Sequence, residues 1–200
     1  MITIGIIGTA GRKEDKAKLD KESYDFMYHS VGLLISTYIR EDYRVVSGGA
    51  SYADHLAVKL YLEGKAKELT LHLPCSFYFE QPSFWNERIE DFKHPANILN
   101  YYHKLFIKKT GIHSTREIAE AIIKGANVVV SPGFLNRNLK VARDADVMVA
   151  LTFGDGAYLK DGGTAHTMSY FYKKGSGFRG FHINLNDHLT YYPALLNKVD

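Results

Sequence analysis

The chain has 200 residues, 46% of them hydrophobic and 24% charged, which is enough for one fully cored domain, short for two, and excludes a disordered chain. Lys and Arg total 25 against 22 Asp and Glu; the resulting +3 permits an anionic ligand but lacks the clustered basic excess of a nucleic-acid binder. One cysteine, Cys75, excludes an internal disulfide framework and fits a reducing compartment. Apolar runs are only a few residues long and Met1-Ile2-Thr3-Ile4 has no basic region, so neither a membrane span nor a signal peptide is expected, and the expected location is cytoplasmic. The unusual feature is the aromatic content of 13%, carried by 14 Tyr, 11 Phe and one Trp.

Ile2-Thr3-Ile4-Gly5-Ile6-Ile7 is short, β-branched and apolar, the pattern of a strand buried on both faces. Tyr24, Met27, Tyr28, Val31, Leu34, Ile35 and Tyr38 recur at three- and four-residue spacing and predict a long helix with one apolar face. A strand ending at Val45-Val46 follows. After Ser47-Gly48-Gly49, the residues Ala53, Leu56, Ala57, Leu60 and Tyr61 predict a second helix that Gly64 terminates. Leu69-Thr70-Leu71-His72-Leu73 reads as a third strand. This β-α-β-α-β alternation calls for a parallel sheet with helices on its faces.

Residues 76 to about 112 hold no clean strand pattern and read as an insertion. Regular structure resumes at Ser114-Thr115-Arg116-Glu117, which reads as a capping box opening a helix. A strand at Asn127-Val128-Val129-Val130, a short helix from Asn136 to Asp144 and a strongly buried strand at Val147-Met148-Val149-Ala150-Leu151 come next. A helix bearing Met168, Phe171 and Tyr172 and a last strand near Phe181-His182-Ile183 complete the pattern. The expected fold is a single α/β domain over 1–200: a Rossmann-like parallel sheet with helices on both faces and an aromatic-rich insertion after the third strand.

Three turns share one layout, an apolar strand, small residues with glycine, then a helix. Glycine lets the backbone approach a ligand, and a helix start offers unpaired N–H groups and a positive dipole end, a combination that favours phosphate. Such turns lie together at the carboxyl ends of parallel strands. The spacing Gly5-x-x-Gly8-x-x-Gly11 is not the dinucleotide fingerprint, and no P-loop sequence is present.

Val45-Val46-Ser47-Gly48-Gly49-Ala50-Ser51-Tyr52-Ala53-Asp54 resembles the V-S-G-G-A-x-G-x-D motif of the SLOG superfamily, which takes in the DNA-processing protein DprA, the Lonely Guy cytokinin-activating enzymes and the YspA-type, YpsA-related proteins. Asn136-Arg137-Asn138 with Asp144-Ala145-Asp146-Val147-Met148-Val149-Ala150 resembles the R-N-x-x-M-x-x-x-A-D-x-x-x-A-F segment of the YspA type. Gly162-Gly163-Thr164-Ala165-His166-Thr167 is similar to its G-G-T turn, and Gly8-Thr9-Ala10-Gly11-Arg12 sits where that type carries a G-S-R turn. The resemblance implies a Rossmann-like sheet that binds a nucleotide or nucleotide-derived molecule, with phosphate on the Gly48-Gly49 and Gly162-Gly163 turns. Two positions depart from the pattern. Tyr52 replaces a small residue at the expected pocket edge, and Thr167 stands where the phosphoribohydrolase branch carries its catalytic glutamate.

The candidate ligand-binding residues are Gly8, Thr9, Ala10, Gly11, Arg12, Ser47, Gly48, Gly49, Ala50, Tyr52, Asp54, Arg137, Asn138, Gly162, Gly163, Thr164 and His166. Asp54 stabilises a helix start or contacts a ribose hydroxyl. Arg12 and Arg137, each placed in a turn, suit phosphate through a planar fork or are surface arginines. Asn138 meets a base or caps a helix, and His166 caps, is solvated, or serves as a donor or acceptor. The candidate catalytic carboxylates are Asp54, Asp161 and Glu87. Asp161, with Asp155, flanks a loop where a carboxylate would serve an N-glycosidic reaction or simply make a turn; Glu87, with Glu80, lies among insertion rings that could raise a carboxyl pKa. Those rings include Phe77, Phe84, Trp85, Phe92, Tyr101 and Phe106, suited to a small core, an interface or a base-stacking wall. His94, His103 and His113 have no metal-ligand spacing, so no metal and no cofactor is assigned. Cys75 reads as a small buried apolar residue.

Two functions remain open: a sensor or sequestering protein for a nucleotide-derived small molecule, and an enzyme hydrolysing or transferring at an N-glycosidic bond. Single-stranded DNA binding is disfavoured by the dispersed basic residues, no membrane partner is expected, and a homo-oligomer is compatible with either function.

Overall fold

Strand β1 (Ile2–Gly8) is central, and its alternating side chains divide the core in two. Ile4 and Ile6 face one layer, whereas Ile7 faces the other. The structure, a computed structural model, describes residues 1–39, 41–86, 94–175, 179–191 and 194–196. After β1 come a one-turn helix α1 (Asp15–Lys18), the long α2 (Lys21–Tyr38), β2 (Tyr43–Ser47), α3 (His55–Leu62) and β3 (Glu68–Leu73). Asp20 caps α2 by accepting the Ser23 amide at 2.9 Å, which satisfies one of the helix's orphan donors.

The segment read as an irregular insertion contains a hairpin, β4 (Ser76–Tyr78) and β5 (Ser83–Trp85), and the sixteen-residue helix α4 (Pro95–Thr110). The buried positions of α4 include Ala96, Leu99, His103, Phe106 and Thr110. Their spacing is helical, but His103 and Thr110 are polar and interrupt the apolar pattern from which such a helix is read. Pro95 at the helix start and Gly111 just past its end, with φ 74°, are the punctuation that could have marked it.

Helix α5 (Ser114–Ile123), β6 (Asn127–Val130), α6 (Phe134–Asp144), β7 (Val147–Thr152), α7 (Gly163–Tyr172) and β8 (Arg179–Asn184) continue the alternation, and β9 (Leu189–Tyr191) adds an edge strand. The expected capping box at Ser114 is not formed. His113 is the cap residue, Ser114 is the first helical residue, and the Ser114 hydroxyl lies 2.8 Å from His103 Nδ1.

The sheet order is β6-β3-β2-β1-β7-β8-β9, parallel from β6 to β8 with β9 antiparallel. Chain progression runs outward from β1 to β6, then jumps back past β1 to β7. Right-handed crossovers therefore place α2 and α3 on one face and α6 and α7 on the other. Leu69, Leu71, Val149 and Phe181 pack with the first set, Met148 and Ala150 with the second. Reversal of strand order between β1 and β7 opens a crevice at their carboxyl ends, the place where such sheets receive ligands. Among the described residues, no helix is long and apolar enough to cross a membrane.

Candidate functional site

The turn after β1 passes over the carboxyl end of β7, where the Thr9 amide donates to the Leu151 carbonyl at 2.9 Å. Contact is so close that a Cβ on Gly8 would lie 2.2 Å from the Leu151 oxygen; this glycine serves strand packing. The Thr9 hydroxyl donates to Asp15 at 2.7 Å and accepts the Gly11 amide at 3.2 Å. Asp15 is buried and also pairs with Lys160 Nζ at 2.6 Å, which reaches Glu14 at the same distance. Lys160 lies in the loop after β7, so these pairs tie the β1 and β7 turns across the crevice.

From the other side, Asp54 stands just ahead of α3 with only 3% of its surface exposed. Its Oδ2 accepts Arg137 Nη1 at 3.0 Å and the Ala50 amide at 3.2 Å. Burial raises the Asp54 carboxyl above its ordinary value, opposed by the Arg137 charge and by the amides of Ala50 and Gly48. Arg137 belongs to α6, not to a turn as expected, and is itself buried. Its guanidinium occupies the space a Gly48 side chain would need: a Cβ there would meet Nη1 at 1.5 Å. At the other end of α6, Asp144 accepts His72 Nε2 of β3 at 2.7 Å. An ion pair near its start and a hydrogen bond at its end thus fasten α6.

Helix α7 starts at the third turn. The Asn138 amide group donates to the Gly163 carbonyl at 3.3 Å, and the Thr167 hydroxyl donates to that carbonyl at 2.8 Å. His166 donates its backbone amide to the Gly162 carbonyl, whereas Gly163, Thr164 and Ala165 precede this first intrahelical donor, so their amides face outward from the helix start.

Together these elements enclose a cleft of about 330 Å³. Of the candidate residues, Gly8, Thr9, Ala10, Arg12, Ala50, Asp54, Arg137, Asn138, Asp161, Gly162, Gly163 and Thr164 line it. Gly11, Ser47, Gly48, Gly49, Tyr52 and His166 do not; Glu87 and Phe92 lie outside the described residues. The Ser47 hydroxyl donates to the Ile6 carbonyl at 2.6 Å. A Gly49 Cβ would lie 2.4 Å from Leu73, and the Gly49 carbonyl accepts His103 Nε2 at 3.1 Å. Tyr52 is 2% exposed, with its ring 4.7 Å from that of Phe106, and is a core residue. Its φ of 57° is left-handed, which accounts for the small residue of the resembled motif at this position. The His166 ring lies edge-on to Tyr170 at 4.6 Å. Among the insertion residues, the exposed Tyr78 hydroxyl donates to Glu80 at 3.0 Å.

Lys13, Glu14, Asp15, Phe134, Thr152, Lys160 and Thr167 also line the cleft and were not candidates. Phe134, as the first residue of α6, had a signal in its position after Gly133. The Lys160–Asp15 pair had none, being 145 residues apart.

Charge in the cleft is uneven once pairs are removed. Arg137 is spent on Asp54, and Lys160 on Asp15 and Glu14. The Arg12 guanidinium makes no hydrogen bond or ion pair with a described residue; it lies 4.7 Å from the Phe134 ring and 5.5 Å from that of Tyr102. Desolvation, and after it the Arg137 charge, lowers the Arg12 guanidinium below its ordinary value; arginine nevertheless stays charged. The cleft therefore presents a cation whose donors meet no acceptor among the described residues, beside a helix start.

No family model matches the sequence. In structure, the chain is similar to TM1055, whose X-ray structure aligns over 88% of this chain and 71% of its own with 16% identity and a TM-score of 0.45. In sequence, it is 35% identical over 159 residues to the uncharacterized protein R261 of Acanthamoeba polyphaga mimivirus, covering 77% of this chain and 83% of the viral protein. At that identity and coverage, the chain belongs to the same family as the viral protein R261.

Proposed function

We propose that the cleft binds a nucleotide or nucleotide-derived small molecule through its phosphate, as a sensor or sequestering protein of the SLOG type, nearest the YspA branch. The observation that carries this reading is Arg12, whose guanidinium donors have no acceptor among the described residues although it lines a cleft closed by the start of α7. A guanidinium fork and unpaired helix amides both favour a phosphate oxyanion. Lys13, which likewise has no ion-pair partner among the described residues, adds a second cation. Phe134 supplies an apolar wall for the rest of the ligand, and a volume near 330 Å³ stands at the small end of the ~300–1,000 Å³ typical of organic-ligand sites.

A second reading is hydrolysis or transfer at the N-glycosidic bond. It is favoured by the raised carboxyl of Asp54 in the cleft wall, a property suited to proton transfer; Asp161, at the exposed rim, would face water or the sugar. Thr167 cannot replace the glutamate of the Lonely Guy enzymes, because a hydroxyl is no general base at neutral pH and this one donates to Gly163.

A thermal-shift screen with nucleoside mono-, di- and triphosphates tests binding; a ligand at a hundred times its dissociation constant adds about 2.7 kcal/mol of stability, roughly 5–10 °C for a chain of this size. Chromatography of the same mixtures then looks for free base. Ligands that raise the melting temperature and stay intact support the sensor, released base supports the enzyme, and no shift with any nucleotide overturns the pocket assignment.

A further inference from the structure

A second cavity, of about 550 Å³, opens between the start of α2 and the turn joining β8 to β9. Its bed is apolar: Phe26 and Phe153 are half-buried, Leu185 is buried, and the His188 ring lies 4.2 Å from that of Phe26. Two opposite charges stand over that bed without ion-pair partners among the described residues. Lys18 Nζ donates to the neutral Asn186 Oδ1 at 3.2 Å and lies 4.8 Å over the Phe153 ring, and the Glu22 carboxylate has neither a hydrogen-bond nor an ion-pair partner among the described residues. Asp20 is partly spent, its Oδ1 accepting the Ser23 amide and hydroxyl at 2.9 and 2.8 Å. The Ser23 hydroxyl also lies 3.1 Å from the Lys18 carbonyl, which fixes the corner from which Lys18 and Glu22 project.

Such a lining discriminates among ligand classes. A simple anion meets Glu22 and Asp20, a simple cation meets Lys18, and an apolar molecule takes both charges out of water without compensation. A zwitterion with an apolar body satisfies all three. We propose that this cavity is a second ligand site, for a free α-amino acid with an aromatic or branched apolar side chain. Its carboxylate pairs with Lys18, its ammonium with Glu22, and its side chain lies on Phe26 and Phe153. The site is separate from the first cleft, since α1 stands between them, with Asp15 lining one and Lys18 the other.

Calorimetric titration of the full chain with L-phenylalanine and L-leucine tests this. Binding of either should weaken at least tenfold for the N-acetyl derivative, which lacks the ammonium, and for the amide, which lacks the carboxylate. Lys18→Met should remove the preference for the free acid over the amide, Glu22→Gln the preference over the N-acetyl form, and Arg12→Ala should change neither. Absence of binding by both amino acids, equal binding of all three forms, or loss of binding in Arg12→Ala but not in Lys18→Met would each overturn the proposal.

Discussion

Two turns of this protein share the layout of strand, glycine pair and helix, and they have opposite contents. At Gly48-Gly49 the space beside the backbone is filled by Arg137, Leu73 and, through a hydrogen bond, His103. At Gly162-Gly163 it is open, with nothing within 4 Å of a Cβ on Gly162 and only Asn138, at 3.8 Å, near one on Gly163. A glycine pair thus marks a close approach without telling whether the visitor is the protein's own side chain or a ligand. In the filled turn a buried ion pair holds α6 against the start of α3; in the open turn the first helix amides have no hydrogen-bond acceptor among the described residues.

Substitution at the two turns separates them most sharply. Gly48→Ala forces Arg137 away from Asp54 and leaves a buried carboxylate unpaired, at a cost of about 3–5 kcal/mol. Gly163→Ala makes an ordinary contact and should change stability by no more than about 0.5 kcal/mol. Urea denaturation measures both, and equal losses would erase the contrast.

The filled turn also predicts a pH dependence. Burial, assisted by the charge of nearby His55, lowers the His103 pKa from 6.5 to about 3, so the folded protein keeps this ring neutral. Between those values the unfolded chain binds the proton and the folded one does not. Stability contributed by His103 is therefore fully present above pH 6.5 and falls as pH drops toward 3, by roughly 1.4 kcal/mol per pH unit. Denaturation from pH 7 to 4 should show this slope, and His103→Gln should flatten it; an unchanged slope in the variant would remove His103 as its source. A smaller effect is expected at Tyr52, whose buried hydroxyl has no hydrogen-bond partner among the described residues and whose pKa burial pushes up to about 12. Tyr52→Phe should raise stability by about 1 kcal/mol, whereas a loss in the same urea assay would show that the hydroxyl is satisfied.

The α/β alternation was legible because β1, β2, β3 and β7 are short apolar runs and α2 and α3 have regular apolar faces, signals that need no distant partner. Helix α4 was hidden because two of its buried positions are His103 and Thr110, whose polar groups are satisfied by Gly49, Ser114 and the Phe106 carbonyl, partners that only the fold supplies. In the cleft, residues next to the β1 and α7 turns could be found from the chain itself. The exclusion of Tyr52 from the cleft could not, since a left-handed backbone and a ring turned into the core are both invisible in a motif. Nor could the Lys160 clasp, which joins residues from the two ends of the chain.

The central claim is that Arg12 holds the phosphate of a ligand in the cleft between β1 and β7. Its most direct test is calorimetric titration of the wild-type chain and Arg12→Ala with the nucleotide that gives the largest thermal shift. The Arg12 guanidinium lies over two ring faces and has no hydrogen-bond or ion-pair partner among the described residues, so the variant should keep its stability within about 1 kcal/mol. Affinity should fall at least tenfold, the loss expected for a charge-assisted hydrogen bond of about 1.5–3 kcal/mol. Equal affinity in the two proteins would contradict the account.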